Sequence, residues 1–163
     1  MKKTNFSQDV TAWLDFAEYD LKSAKWQLKG KLYTIACYAS QQAAEKALKA
    51  ILLDIKQTFP KVHSLDRLLS ELKLESIDIT KINEASIELD KYYITARYPG
   101  EYGGPDGLYT KKDATTAIKC AEKIIKFVYF HLEQEDRKHL PKIHNALKKV
   151  RGEMSMKAKK SNK

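Results

Sequence analysis

LYTIACYASQQAAEKALKAILLDIK, residues 32–56, holds neither glycine nor proline. Tyr33, Ala36, Ser40, Ala44, Ala47, Ile51 and Ile55 recur in it at helical spacing, and Cys37, Tyr38, Leu48 and Leu52 widen the apolar stripe. A stripe that broad cannot be buried by one neighbour, so this segment predicts a helix with several helices around it. The same run carries a polar side, Gln42, Glu45, Lys46 and Lys49. Two readings fit that side: a solvated face with an intrahelical ion pair, or the wall of a polar groove whose amides and ammoniums meet phosphates.

Upstream, Ser7 is placed to cap a helix with Asp9 in its first turn. Val10, Trp13, Leu14, Ala17, Leu21, Ala24 and Leu28 then repeat with helical period, and Gly30 ends the pattern. Phe16, Tyr19 and Trp26 lie beside that face, either as extra core or as a surface for a second subunit. Downstream, Phe59-Pro60 breaks the central helix, and a short helix from Ser64 gathers Leu65, Leu68, Leu69 and Leu72 on one side. Another begins near Thr80 and carries Ile82, Ala85, Leu89, Tyr92 and Ala96 inward. The stretch from Pro99 to Gly107, with four Gly and two Pro, predicts an irregular loop. Thr110 and Asp113 then fit a capping box that starts a last helix with Ala114, Ala117, Ile118, Ala121, Ile125, Val128 and Leu132 inward. No strand alternation competes. Short connections between long helices predict an all-α antiparallel up-and-down bundle of four to five helices, with the Leu-rich short helix across one end.

Composition agrees. The 163 residues suffice for one domain core, and 43% hydrophobic with 31% charged residues suits a helical globule. The net charge of +9 is uneven: residues 136–163 carry ten Lys/Arg against two acids, while residues 1–135 carry twenty against nineteen. The chain therefore divides into a nearly neutral bundle, 1–135, and a basic tail, 136–163, expected to be partly helical and then disordered. Any anion site in the bundle must be local. Cys37 and Cys120 lie in apolar-periodic stretches without metal-ligand spacing, which predicts buried free thiols, no metal and a reducing, cytoplasmic setting. No apolar run long enough for a membrane span or a secretory leader is present.

The stretch Tyr92-Tyr93-Ile94-Thr95-Ala96-Arg97-Tyr98-Pro99-Gly100-Glu101-Tyr102 places one of four arginines among tyrosines where a helix enters the loop. Arg97 there can satisfy the helix's last carbonyls, or it can bind an anion: a guanidinium suits phosphate and tyrosine rings stack on bases. His63, after a proline and beside Ser64, reads as a capping or packing residue or as a proton carrier.

Ala17-Glu18-Tyr19-Asp20-Leu21, Gln41-Gln42-Ala43-Ala44-Glu45-Lys46-Ala47-Leu48-Lys49-Ala50, His63-Ser64-Leu65, Tyr92-Tyr93 and Arg97-Tyr98-Pro99 occur in one order over about residues 10–132. In that combination the chain resembles the HEPN domains, the higher-eukaryote and prokaryote nucleotide-binding family. The resemblance implies an antiparallel helical bundle, a homodimer with a cleft near its two-fold axis, and, in many prokaryotic members, a minimal nucleotidyltransferase as partner, some such pairs acting as toxin and antitoxin. It implies further that active members are ribonucleases needing no metal or other cofactor, with an arginine, four to six residues, and a histidine. Here Tyr102 stands where the four-residue spacing from Arg97 would place histidine, and a phenol with a pKa near 10 carries protons poorly at neutral pH. Arg137 and His144 satisfy the spacing in the tail. The expectation is thus a non-catalytic nucleotide- or RNA-binding module, partner of a nucleotidyltransferase, with Arg97, Tyr98, Tyr102, Gln42, Lys46 and Lys49 as phosphate-binding candidates. The alternative is a ribonuclease toxin drawing on Arg97, His63, Arg137 or His144.

Overall fold

The computed structural model describes residues 6–98 and 105–136. They form six helices and, among the described residues, no strand: α1 Phe6–Lys29, α2 Tyr33–Lys56, α3 Leu65–Leu74, α4 Asn83–Asp90, α5 Tyr92–Thr95 and α6 Lys111–Asp136. The all-α bundle expected from the periodicities is the fold observed. The described residues up to Val128 make one compact unit; of the second, which begins at Tyr129, the described part is the end of α6. The basic tail beyond Asp136 lies outside the described residues.

α2 is the axis of the unit. Sixteen of its 24 residues are buried, among them Ala36, Ala39, Ala43, Ala44, Ala47 and Ala50, whose small side chains let neighbouring helices approach closely. It packs on α1, α3, α4 and α5. It meets α6 as well, through Ala39 in a cluster with Ala24 of α1 and Ile118 of α6, flanked by Leu21 and Leu28. The α1–α2 connection is only residues 30–32, which forces the two helices antiparallel. Gly30 ends α1 as its position predicts, but the left-handed residue of the turn is Lys31, φ 61°. There Leu32 N–H donates to the Gln27 carbonyl at 2.8 Å and Gly30 N–H to that of Trp26 at 2.9 Å, so the helix's last carbonyls are satisfied. Ser7 lies within α1 instead of at its cap.

The Leu65, Leu68, Leu69 and Leu72 stripe of α3 is buried to 2% exposure or less, each leucine contributing about 1.5–3 kcal/mol of burial. The single helix expected from Thr80 to Ala96 is instead a turn, α4 and α5. The Asp78 carboxylate accepts from Thr80 N–H at 2.9 Å, and Ile82 and Asn83 N–H both donate to the Ile79 carbonyl, which holds off the regular ladder until Asn83. Lys91, between α4 and α5, keeps helical dihedrals (φ −62°, ψ −25°), so the ladder breaks without a change of backbone conformation.

The capping box at α6 forms as predicted. Thr110 N–H donates to Asp113 Oδ2 at 2.8 Å and Asp113 N–H to Thr110 Oγ1 at 3.3 Å. The Thr110 hydroxyl, then its N–H, hold the Asp113 carboxyl below the usual carboxylate range. A depressed folded pKa gives stability that is present above the unfolded value and lost as pH falls through the folded one. Asp113→Asn is expected to cost about 1 kcal/mol at neutral pH in urea denaturation, and the difference from wild type should vanish in acid.

Two expectations about burial change. Cys37 is buried, its thiol pushed up to about 12 chiefly by burial and next by the Asp113 charge, but Cys120 is only half-buried; both are free. Phe16, Tyr19 and Trp26 are not extra core: they are 61%, 70% and 65% exposed, because Val10, Leu14, Ala17 and Ala24 already fill the buried face of α1. Among the described residues no helix is long and apolar enough to cross a membrane.

Candidate functional site

The polar side of α2 is largely buried. Glu45 and Lys49 are 4% and 6% exposed, and Gln41 is fully buried. The i,i+4 ion pair expected here exists, Lys49 Nζ donating to Glu45 Oε1 at 2.8 Å, but the expected solvated face does not. The reason is tertiary. Trp13 of α1 and Phe59 of the α2–α3 connection meet edge to face at 5.1 Å, and Lys49 Nζ lies 5.7 and 5.5 Å from their ring centroids. The other carboxylate oxygen of Glu45 accepts from the Gln41 and Gln42 amides, both at 3.3 Å, while Gln42 Nε2 also donates to Gln41 Oε1 at 2.7 Å.

His63 completes the set. Its Nδ1 lies 3.1 Å from Glu45 Oε1, its carbonyl accepts from Gln41 Nε2 at 3.1 Å, and its side chain is 56% exposed. The next residue, Ser64, caps α3, with its Oγ donating to Asp90 Oδ2 at 3.0 Å and accepting from Arg67 N–H. The imidazole stacks on the Tyr93 ring, centroids 4.9 Å apart and planes 15° apart.

Tyr93 also carries Arg97. The guanidinium carbon lies 4.2 Å from the Tyr93 centroid, 5.0 Å from that of Tyr98 and 5.5 Å from that of Tyr38 of α2. Arg97 Nε donates to the Tyr93 carbonyl at 2.9 Å, so the helix-end role read from the sequence is real, yet it uses one of five guanidinium donors. Arg97 and Tyr98 are exposed. Burial raises the Tyr38 phenol above its ordinary value while the Arg97 charge pulls the other way.

Of the residues singled out in the sequence, Arg97, Tyr98, His63 and Gln42 thus belong to one connected corner, and Lys49 supports it from inside. Lys46 does not join it: its ammonium pairs with Asp20 of α1 and sits 5.7 Å from the Phe16 centroid. Tyr102, Arg137 and His144 lie outside the described residues. Glu45, read as part of the polar side of α2, and Tyr93, read among the tyrosines around Arg97, stand at the centre of the corner, and Tyr38 and Gln41, which no pattern of their own marks as site residues, join it. No cluster of metal-ligating side chains occurs among the described residues.

A central helix packed on all sides, with polar groups gathered where shorter helices end, places the chain among small helical-bundle domains. Comparison with known proteins narrows that class. The HEPN domain family model matches residues 10–139, and the chain belongs to that family. A Methanocaldococcus jannaschii protein named "Putative toxin MJ1304" is 34% identical over 129 residues, covering 73% of this chain and 85% of its own. The crystal structure of TT1696 from Thermus thermophilus superposes with a TM-score of 0.68 at 37% identity, covering 73% of this chain and 94% of that one. A Thermotoga maritima HEPN domain protein does so with 0.61 at 32%, covering 75% and 98%.

Proposed function

We propose that the protein is a HEPN module that binds the phosphate of RNA or a nucleotide at the Arg97 corner, without catalysis of its own. The observation that carries this reading is the exposed guanidinium held against three tyrosine rings. Stacking and the Tyr93 carbonyl stiffen the side chain, and a pre-ordered planar cation loses little freedom on meeting phosphate. The rings add faces for a base. Replacing Arg97 by alanine is expected to weaken binding of a short single-stranded RNA about 10- to 100-fold by fluorescence anisotropy, with Arg97→Lys recovering part of the loss. It should also lower the slope of log K against log salt by about 0.7. Unchanged affinity in Arg97→Ala removes the reading.

The ribonuclease alternative has its own support: His63 and Arg97 converge on Tyr93, and a relative carries the name of a toxin. Incubation with RNA in chelator separates the two. Cleavage that is abolished by His63→Ala or Arg97→Ala overturns the non-catalytic reading.

As to partners, the module acts in this reading as a cytoplasmic homodimer beside a nucleotidyltransferase. Support for self-association is the exposed Phe16, Tyr19 and Trp26 stripe of α1, apolar surface that water disfavours. Tyr19→Asp with Trp26→Asp is expected to turn a dimer into a monomer by light scattering with an unchanged helical spectrum.

A further inference from the structure

Every exposed residue of α6 from its start to Val128 is a lysine: Lys111, Lys112, Lys119, Lys123 and Lys126. Four of them align because the opposite side of the helix is core. Ala114, Ala117, Ala121, Ile124, Ile125 and Val128 are buried. At about 3.6 residues per turn, Lys112, Lys119, Lys123 and Lys126 then fall within about 60° of arc along about 21 Å of axis. The two acids of the same stretch are committed elsewhere, Asp113 to Thr110 and Glu122 to Lys25 of α1 at 2.5 Å. Among the described residues none of the four lysines is in an ion pair. Lysines three and four residues apart repel, so the stripe is a line of like charge that its own bundle leaves uncompensated. It stands out in residues 1–135, whose twenty cations and nineteen acids otherwise nearly balance. The Lys25–Glu122 bridge, with Ala24 and Ile118 in one core cluster, sets α1 alongside. Lys22 and Lys29, three and four residues from Lys25 and both exposed, carry the basic surface onto that second helix.

We propose that this face of α6 and α1 is a docking surface for double-helical nucleic acid, held by its phosphates. A protein partner would find no apolar side chain exposed on this stretch of α6 to bury, and lysine is depleted from such interfaces. A membrane would find no apolar flank to receive, since α6 turns its apolar side into the bundle. Phosphates need only the cations, and ammoniums on long stems meet them as point charges. No aromatic ring is exposed along the stripe for an unstacked base, which favours a duplex, whose outside is phosphate, over a single strand. The contact reads charge and not sequence, and it shares no residue with the Arg97 corner, so either site can stand without the other.

The test keeps the whole chain, because the basic segment 136–163 attracts any polyanion and must be the same in every variant. Affinity for a blunt duplex of about 20 base pairs, as DNA and as RNA, is measured by fluorescence anisotropy across a salt series. The variant Lys119→Ala with Lys123→Ala and Lys126→Ala is expected to lower the slope of log K against log salt by about 2.7, or about 0.9 for each lysine, with an unchanged helical spectrum. The duplex that shows this loss is the source of the phosphates. A control variant, Lys61→Ala with Lys73→Ala and Lys81→Ala, removes the same charge from other exposed positions and should lower the slope by less than about 0.5. Equal losses in the two variants would reduce the effect to net charge and overturn the inference, as would a slope that the α6 variant leaves unchanged for both duplexes. Arg97→Ala should bind duplex as wild type does; a matching loss there would move the duplex to the corner and overturn the α6 assignment. Poly-glutamate is the counter-probe. If the α6 variant loses affinity for it while duplex binding holds, the surface belongs to an acidic protein and the inference falls.

Discussion

Glu45→Ala is expected to destabilise the protein by about 3–5 kcal/mol, read from urea denaturation. The deletion leaves the Lys49 ammonium, its side chain 8% exposed, without a counter-charge in the interior of the bundle. The Trp13 and Phe59 rings beside it attract a cation only by about 1–2 kcal/mol and cannot stand in for a carboxylate. It also takes an acceptor from Gln41, which is fully buried. Lys49→Met should cost less, because Glu45 keeps three donors, Gln41, Gln42 and His63. The sharper result is the double variant. Glu45→Leu with Lys49→Met removes both charges at similar volume, and such replacements are often neutral or stabilising, so it should recover most of the single-variant loss. A Glu45→Ala cost below about 1 kcal/mol, the range of exposed pairs, would show that water reaches the pair.

That pair marks the limit of what the sequence discloses. Where a residue's role follows from its own helix, the order of residues suffices: the four leucines of α3 and the Thr110–Asp113 box are local patterns with local consequences. Glu45 and Lys49 have the spacing of a solvated ion pair, and only the position of Trp13 and Phe59, on two other elements, makes them interior. The aromatic residues of α1 show the converse. Phe16, Tyr19 and Trp26 have the composition of core, yet the helices that could have covered them pack elsewhere, and composition carries no record of that. The corner itself was half legible. Arg97 among tyrosines at a helix end announces a helix-end or anion role from its own neighbourhood. The approach of His63 to the same tyrosine depends on how α3 is anchored, which is a matter of contacts between elements distant in sequence.

Asp90 is that anchor, and Asp90→Ala is expected to cost about 2–3 kcal/mol. Its carboxylate, at the end of α4, accepts from Leu65 N–H at 2.7 Å, Asp66 N–H at 3.1 Å and the Ser64 hydroxyl at 3.0 Å. Two of the amides that a helix N-terminus leaves without intrahelical partners are thus satisfied from another element. Ser64 Oγ is left to serve Arg67 N–H. Charge-assisted bonds of this kind contribute about 1.5–3 kcal/mol, and a negative charge at a helix N-terminus adds about 0.3–1 kcal/mol through the helix dipole. Asp90→Asn, which keeps an acceptor and loses the charge, should cost about half as much. The damage should begin locally. Amide exchange in α3 should quicken more than in α2, and His63, one residue before the cap, should lose the fixed approach to Tyr93 on which its place in the corner depends. Ser70→Ala, whose hydroxyl makes an exposed bond to the Asp66 carbonyl further along the same helix, is the control. An Asp90→Ala variant as stable as that control would mean that α3 is held by its leucines alone, and that the position of His63 is set by Gln41 and Glu45 without help from the cap.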